Sequence, residues 1–274
     1  MSRGEEMKHP LENQWALILG ASSGFGAATA LELARVGMHI FGVHLDRKAT
    51  MENVENVRSE IEAAGRQSLF FNMNAADAEK RGAALDEMKK TIQAGQDHTG
   101  IRVLLHSLAF GSLGRYFPED STKPITRDQM NMTLDVMAHS LVYWVQDLLA
   151  SGLFAEGSRI YAMTSSGGHS VWPSYGPVSA AKAALESHIR QIALELAPRA
   201  ITANAIQAGV TDTPALRKIP GHEEMLQSSI QRNPGGRLTT PEDVGQAIVA
   251  LSHPFTHWMT GNVIRVDGGE DITG

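Results

Sequence analysis

The sequence predicts an α/β fold in which a parallel, doubly wound sheet of about seven strands carries helices on both faces. Two observations carry this reading. Short apolar runs alternate with longer amphipathic stretches from residue 15 onward, the pattern of successive βαβ crossovers. Several runs, such as Ile101-Arg102-Val103-Leu104-Leu105, are nearly continuous in apolar character, as strands covered on both faces must be. A chain of 274 residues that is 42% apolar can bury one large core.

In order, strands are expected at Trp15–Leu19, His39–His44, Ser68–Met73, Arg102–Ser107, Arg159–Thr164, Ile201–Ile206 and Asn262–Val266. Helices are expected to begin near Gly26, Met51, Asp77, Arg127, Pro177 and Pro241. Gly37 and Gly65 each follow an amphipathic run and precede a strand, where a left-handed residue ends a helix. No repeat, low-complexity tract or linker divides residues 1–274, so one domain is expected, with a polar N-terminal extension over 1–13. Thr211–Gly236 is the longest stretch expected to be irregular, since it holds Pro214, Pro220, Gly221, Pro234, Gly235 and Gly236. A segment this long in a compact domain is more often a lid or binding loop than a plain connection, so 211–237 is assigned as a substrate lid.

The formal charge of −6, with no block of like charge, weighs against nucleic acid or an anionic membrane as partner. Cysteine is absent, which excludes disulfides and thiolate sites. No apolar run approaches the roughly 18 residues that span a bilayer. Met1–Asn13 is polar and includes Glu5 and Glu6, unlike a secretory or transit peptide. A cytoplasmic protein is the expectation. The histidines lack metal-ligand spacing, so no metal is expected, and His106 and His169 are read as local hydrogen-bonding groups.

The segment Leu17-Ile18-Leu19-Gly20-Ala21-Ser22-Ser23-Gly24-Phe25-Gly26 sets three glycines between the first strand and the first helix. Gly20 permits a tight turn, Gly24 removes a side chain that would block a pyrophosphate, and Gly26 lets helix and strand pack closely. The helix N-terminus would face the phosphate charge. This is the mechanism of a Rossmann-type dinucleotide site. The spacing Gly-x3-Gly-x-Gly resembles the short-chain dehydrogenase/reductase superfamily, and the resemblance runs from residue 15 to about 270.

That resemblance implies a nicotinamide cofactor and a Tyr and Lys on one helix, helped by a strand-end Ser. Ser165, Tyr175 and Lys182 stand in the expected region. The ordinary spacing is Tyr-x3-Lys, but here Val178 holds that tyrosine position and Tyr175 gives Tyr-x6-Lys. On a helix, residues seven apart lie within about 20° of one face. The longer spacing carries the phenol roughly 4.5 Å along the axis if the helix extends that far. Carbonyl reduction needs the proton donor on the oxygen of the carbon that receives hydride. Reduction of a conjugated double bond needs it on an oxygen two carbons away, which a displaced tyrosine suits. The spacing is similar to that of enoyl-acyl-carrier-protein reductases.

Other departures agree. The loop after the fourth strand reads His106-Ser107-Leu108-Ala109-Phe110 instead of Asn-Asn-Ala-Gly, and Met137 stands where the superfamily has an Asn for a proton-relay water. Ala208-Gly209-Val210-Thr211-Asp212-Thr213 replaces Pro-Gly, and in the resembled enzymes its Thr holds the nicotinamide carboxamide. Thr260–Gly269 matches the superfamily's closing strand and turn. Asp212–Lys218 with Asn233–Arg237 looks most like the NADPH-using class called enoyl reductase III.

The resemblance assigns Tyr175 as donor to the thioester oxygen, Lys182 to the nicotinamide ribose, and Ser165 a secondary part or none beyond a strand-end hydroxyl. Phe110 and Trp172, with Ala208, line an acyl slot or belong to the core. Cofactor contacts are expected from Gly20, Ser22, Ser23, Gly24, Phe25 and Gly26, from Asn74 and Ala75, from Ser107, Leu108 and Ala109, and from Gly209, Thr211 and Thr213. At the adenosine ribose, His44, Arg47 and Lys48 could meet a 2′-phosphate, while Asp46 could instead meet the ribose. The lean is to NADPH, with NADH possible. Arg217, Lys218, Arg232 and Arg237 would steer an acidic acyl carrier protein or are simply solvated charges. The family implies a homotetramer. Two readings stand beside enoyl thioester reduction. A carbonyl reductase or alcohol dehydrogenase would need another donor near Val178, and a dinucleotide-binding protein without catalysis would have no use for Tyr175 and Lys182.

Overall fold

The computed structural model describes residues 9–95, 100–119 and 122–273. All seven expected strands form: β1 Trp15–Leu19, β2 His39–His44, β3 Ser68–Asn72, β4 Ile101–His106, β5 Phe154–Thr164, β6 Thr202–Ala208 and β7 Val263–Val266. They make one parallel sheet in the order β3-β2-β1-β4-β5-β6-β7. The doubly wound Rossmann-type architecture is therefore as expected.

Every residue of β1 is buried, because its odd and even positions enter two different cores. Trp15, Leu17 and Leu19 face α3 (Ala78–Ala94), α5 (Ser140–Ala150) and α6 (Gly176–Leu196). Ala16 and Ile18 face α1 (Gly24–Arg35), α2 (Met51–Ala63) and α8 (Pro241–Leu251). Helix starts follow local chemistry. Asp77 caps α3 by accepting from the Lys80 N–H, and capping boxes Thr126–Gln129 and Thr240–Asp243 open α4 (Arg127–Leu134) and α8. α4 passes through a π turn at Asp135–His139 directly into α5.

Strand ends move by a residue or two from expectation, with one larger difference. β5 begins at Phe154 rather than Arg159. Gly157, at φ 68, lies in a bulge where β4 pairing jumps from Ile101↔Phe154 to Val103↔Arg159. The stretch Phe154-Ala155-Glu156-Gly157-Ser158 has no apolar alternation, so periodicity could not reveal it. A second difference is that Thr211–Gly236 is not wholly irregular, since it contains α7, His222–Arg232. Of the N-terminal extension, residues 1–8 lie outside the described residues, and Leu11 is fully buried in the domain core.

β1 crosses over to β2 on one side while β4 lies on the other, so the strand order reverses between β1 and β4. A crevice opens at the carboxyl ends of strands at such a switch point. No described helix is long and apolar enough to cross a membrane.

Candidate active site

A cleft of about 880 Å³ occupies that crevice. All the residues predicted for the cofactor and substrate site line it except Gly26, Asp46, Arg47 and Lys48. A hollow of about 500 Å³ at the amino ends of β4 and β5, beside Lys89 and Glu156, brings none of them together.

The phosphate end is shaped by backbone. Gly20 has φ 94, and a Cβ there would collide with the Ser107 carbonyl. A Cβ on Gly26 would collide with the Gly20 carbonyl, so Gly26 serves helix–strand contact and stays off the cleft surface. Gly24, at φ 54, faces Thr213, whose Cγ2 would lie 3.6 Å from an added Cβ. Ser23 makes no side-chain cap to α1, and the first turn of α1 carries no acid. No side chain therefore competes for its first-turn N–H groups, which fits a pyrophosphate.

At the adenosine side, His44 is buried and its Nδ1 lies 3.0 Å from Asp46 Oδ2. Burial pushes the Asp46 carboxyl up, but the hydroxyls of Thr50 and Ser22 and the His44 ring outweigh it and hold the group below its usual value. The loop is clasped from β3, because Asp46 N donates to Asn72 Oδ1 (3.1 Å) and Asn72 Nδ2 returns a bond to Asp46 O (2.9 Å). Asp46 is thus fixed beside the glycine loop, and like Arg47 and Lys48 it lies just off the cleft surface. Asn74 accepts from the Ala76 N–H (3.1 Å), and Ala75 is pinned by Trp144 Nε1 (2.9 Å). Ser107 N bonds Leu19 O (2.8 Å), carrying the β1–β4 pairing into the Ser107–Ala109 loop.

Tyr175 is the N-cap of α6, not part of an extra helical turn. It follows Ser174, a non-glycine at φ 65 whose carbonyl accepts from Gly114 N (2.8 Å). The phenol ring packs against Gly167, where a Cβ would lie 2.5 Å from Cε1 and 3.2 Å from Ser165 Oγ. Ser165 Oγ is buried with no partner in hydrogen-bond geometry. Burial raises the Tyr175 pKa, and the neighbouring Ser165 hydroxyl opposes that rise. The group stays a phenol at neutral pH.

Lys182, from the middle of α6, is buried and donates from Nζ to Met163 O at 2.6 Å. Burial lowers its pKa to about 8, and Glu186 opposes the fall. Thr164 Oγ1 holds Glu186 Oε1 at 2.6 Å. Lys182 is therefore mostly cationic at neutral pH. At the position where the ordinary tyrosine would stand, Val178 packs with Met137 on Gly111. A Cβ on Gly111 would lie 2.7 Å from Met137 Sδ and 2.9 Å from Val178 Cγ2. That wall is apolar and offers no proton.

The 211–237 segment borders the cleft through Leu216, Ile219 and Met225, which the sequence reading missed. A helix signal was available, with Glu223 and Glu224 in a first turn and apolar residues spaced behind them. Trp172 lines the cleft and donates from Nε1 to Pro220 O (3.2 Å), tying this segment to the loop before Tyr175. Glu270 anchors the segment near its start by accepting from Val210 N (3.0 Å), and its other oxygen lies 3.5 Å from Arg232. Three of the four basic residues are thus engaged: Arg217 by Asp212 (2.7 Å), Arg237 by Asp243 (2.6 Å) and Arg232 by Glu270. His169 Nε2 meets Asp271 Oδ1 at 3.2 Å, a contact between segments distant in sequence. No cluster able to hold a metal occurs among the described residues.

A family model described as enoyl-(acyl carrier protein) reductase matches residues 20–270. An enoyl-[acyl-carrier-protein] reductase [NADH] of Aquifex aeolicus is 29% identical over 201 residues, 71% of this chain and 72% of that one. A cyclohexanol dehydrogenase of an Acinetobacter species is 28% identical over 96% of both chains. The solved structure of an enoyl-[acyl-carrier-protein] reductase (NADH) from Aquifex aeolicus has a TM-score of 0.82 at 24% identity, covering 96% of this chain and 98% of that one, and so shares the fold. The chain belongs to the enoyl-(acyl carrier protein) reductase family and is an oxidoreductase of the short-chain dehydrogenase/reductase superfamily.

Proposed function

We propose that the chain reduces the 2,3-double bond of an enoyl thioester, with a nicotinamide dinucleotide as hydride source. One observation carries this reading. The position that would donate to a carbonyl carbon's own oxygen is the apolar wall of Val178, Met137 and Gly111, and the phenol that lines the cleft is the displaced Tyr175. Gly20, Ser22, Ser23 and Gly24 would hold the pyrophosphate of a reduced nicotinamide dinucleotide, which when bound would supply a hydride for the β-carbon of the substrate. Tyr175, kept protonated by burial, donates to the thioester oxygen where enolate charge develops. Lys182 holds a positive charge in the same cleft and favours that charge development. In this reading Thr213 holds the carboxamide and Phe110, Trp172 and Ala208 border the acyl slot, and all four line the cleft.

Sequence alone leans to NADPH. The fixed carboxylate of Asp46 beside Ser22 weighs towards NADH, because a 2′-phosphate near it would meet like charge. The acyl group rides on acyl carrier protein or coenzyme A. Of the four basic residues in the lid, Lys218 lines the cleft without a salt bridge among the described residues, so it is the one free to meet a carrier's phosphate. A homotetramer is the assembly proposed, by family resemblance.

Carbonyl reduction is the second reading, favoured by the cyclohexanol dehydrogenase match along 96% of the chain. Crotonyl and acetoacetyl thioesters assayed side by side separate the two. Enoyl reduction predicts oxidation of reduced cofactor with the crotonyl substrate, and turnover of the keto substrate alone would replace it with the second reading.

A further inference from the structure

Tyr175 lacks the support that a helix interior would give it. It is the N-cap of α6, its N–H bonds Trp172 O at 3.1 Å, and the residue before it, Ser174, stands at φ 65. The segment between β4 and α4 holds the chain on either side. Gly114 N donates to Ser174 O at 2.8 Å, and the Tyr116 ring covers Gly176, where an added Cβ would lie 2.6 Å from its Cζ. Those contacts are made to the backbone, not to the phenol ring. A proton donor displaced by about 1 Å can lose about 10²-fold in rate, so whatever places the ring matters to the chemistry.

The ring lies on the turn that follows β5. This turn is closed by bonds from Gly168 N to Ser165 O (3.0 Å) and from Ser170 N to Ser166 O (2.7 Å). Gly167 is its point of contact with Tyr175, since a Cβ there would lie 2.5 Å from the ring's Cε1. Two side chains of α6 fasten the turn to the helix. Ser179 Oγ donates to Gly167 O, and Ser179 N donates to Tyr175 O at 2.9 Å. One residue thus holds both the tyrosine's own carbonyl and the glycine against its ring. Two helical turns further on, Glu186 packs on Gly168, where a Cβ would lie 2.8 Å from Oε1, and Thr164 Oγ1 holds that oxygen at 2.6 Å.

We propose that Ser179 is a positioning residue for Tyr175: its hydroxyl ties Gly167 to the start of α6 and so fixes the surface on which the phenol ring rests, with Glu186 and Thr164 holding the neighbouring Gly168. This rests on the reading of Tyr175 as proton donor. Ser179 is not among the residues that line the cleft, so its hydroxyl acts through the ring and not on the substrate. Ser165 moves with the same turn, because its carbonyl accepts from Gly168 N. The turn therefore sets the phenol and the Ser165 hydroxyl together.

Turnover and ring environment, measured together, test this. With NADH and crotonyl-coenzyme A, Ser179→Ala should lower kcat by about tenfold, with the KM of each substrate within about twofold of wild type. Ser179→Thr keeps the hydroxyl and should recover most of that loss. Tyrosine labelled with ¹³C at Cζ reports the ring itself, and the Tyr175 signal is identified by its loss in Tyr175→Phe. Burial raises the Tyr175 pKa, so a loosened ring that admits water should titrate at lower pH in Ser179→Ala and recover in Ser179→Thr. An unmoved Tyr175 titration in Ser179→Ala, or an undiminished kcat, would overturn the proposal. Should that variant not fold, Gly168→Ala presses on Glu186 from the other side of the turn. The same downward move of the titration is expected there, and its absence overturns the idea. Full turnover by Tyr175→Phe, or none by the wild-type protein, sinks the functional reading instead, and the titrations still judge the Ser179 contact.

Discussion

The two ends of the cleft are built from different parts of the chain. At the phosphate end the backbone sets the shape, since any side chain at Gly20 or Gly26 would strike a carbonyl oxygen. At the substrate end side chains set it, through Met137, Val178, Trp172 and a 55% exposed Phe110. A backbone-shaped site tolerates little change and holds the part of the ligand common to all dinucleotides. A side-chain-shaped site can be retuned one residue at a time. This is why a whole-chain match can join enzymes of different substrates, and why the reaction here is argued from positions 137, 175 and 178.

Substitutions at the two ends should differ in kind. The largest effect is expected from Tyr175→Phe, which should lower kcat by about 10²–10⁴-fold while leaving NADH affinity unchanged. Steady-state rates and a fluorescence titration together check this, and an equal loss of both would assign Tyr175 to cofactor binding. Gly26→Ala puts a Cβ against the fixed Gly20 carbonyl. It should cost about 1–3 kcal/mol of stability and weaken NADH binding, as thermal melts and the same titration would show. An ordinary Tm in this variant would mean the loop is softer than its geometry implies.

Smaller effects should come from charge. Lys182 is cationic below its pKa of about 8 and neutral above it. Turnover should therefore hold through neutral pH and fall as pH rises past that value, checked by a kcat/KM profile at saturating cofactor. At the adenosine side, Asp46→Ser removes the carboxylate beside Ser22. The NADPH-to-NADH ratio of kcat/KM should rise by about tenfold. No change in that ratio would break the link between Asp46 and cofactor choice.

The legible parts of the sequence are those whose cause is local. β1 announces itself by an unbroken apolar run, α8 by Thr240-Pro241-Glu242-Asp243, and the phosphate loop by glycines whose neighbours are the adjoining strand and helix. The first half of β5 was hidden because Gly157 breaks its alternation, and α7 because prolines and glycines flank it. The Tyr175–Lys182 spacing implies that both residues share one cleft, as they do, but for an incomplete reason. Helical periodicity assumed a continuous helix, whereas Tyr175 stands on the cap after Ser174 at φ 65, a backbone state that no local pattern signals for a serine.

The central claim is that hydride and proton are delivered to different ends of a conjugated system. Reduction of crotonyl thioester with 4-deuterated cofactor, followed by locating the label, tests it most directly. Deuterium on C3 of the saturated product, with a solvent-derived hydrogen on C2, is predicted. Label on a carbinol carbon with the double bond intact would contradict the account.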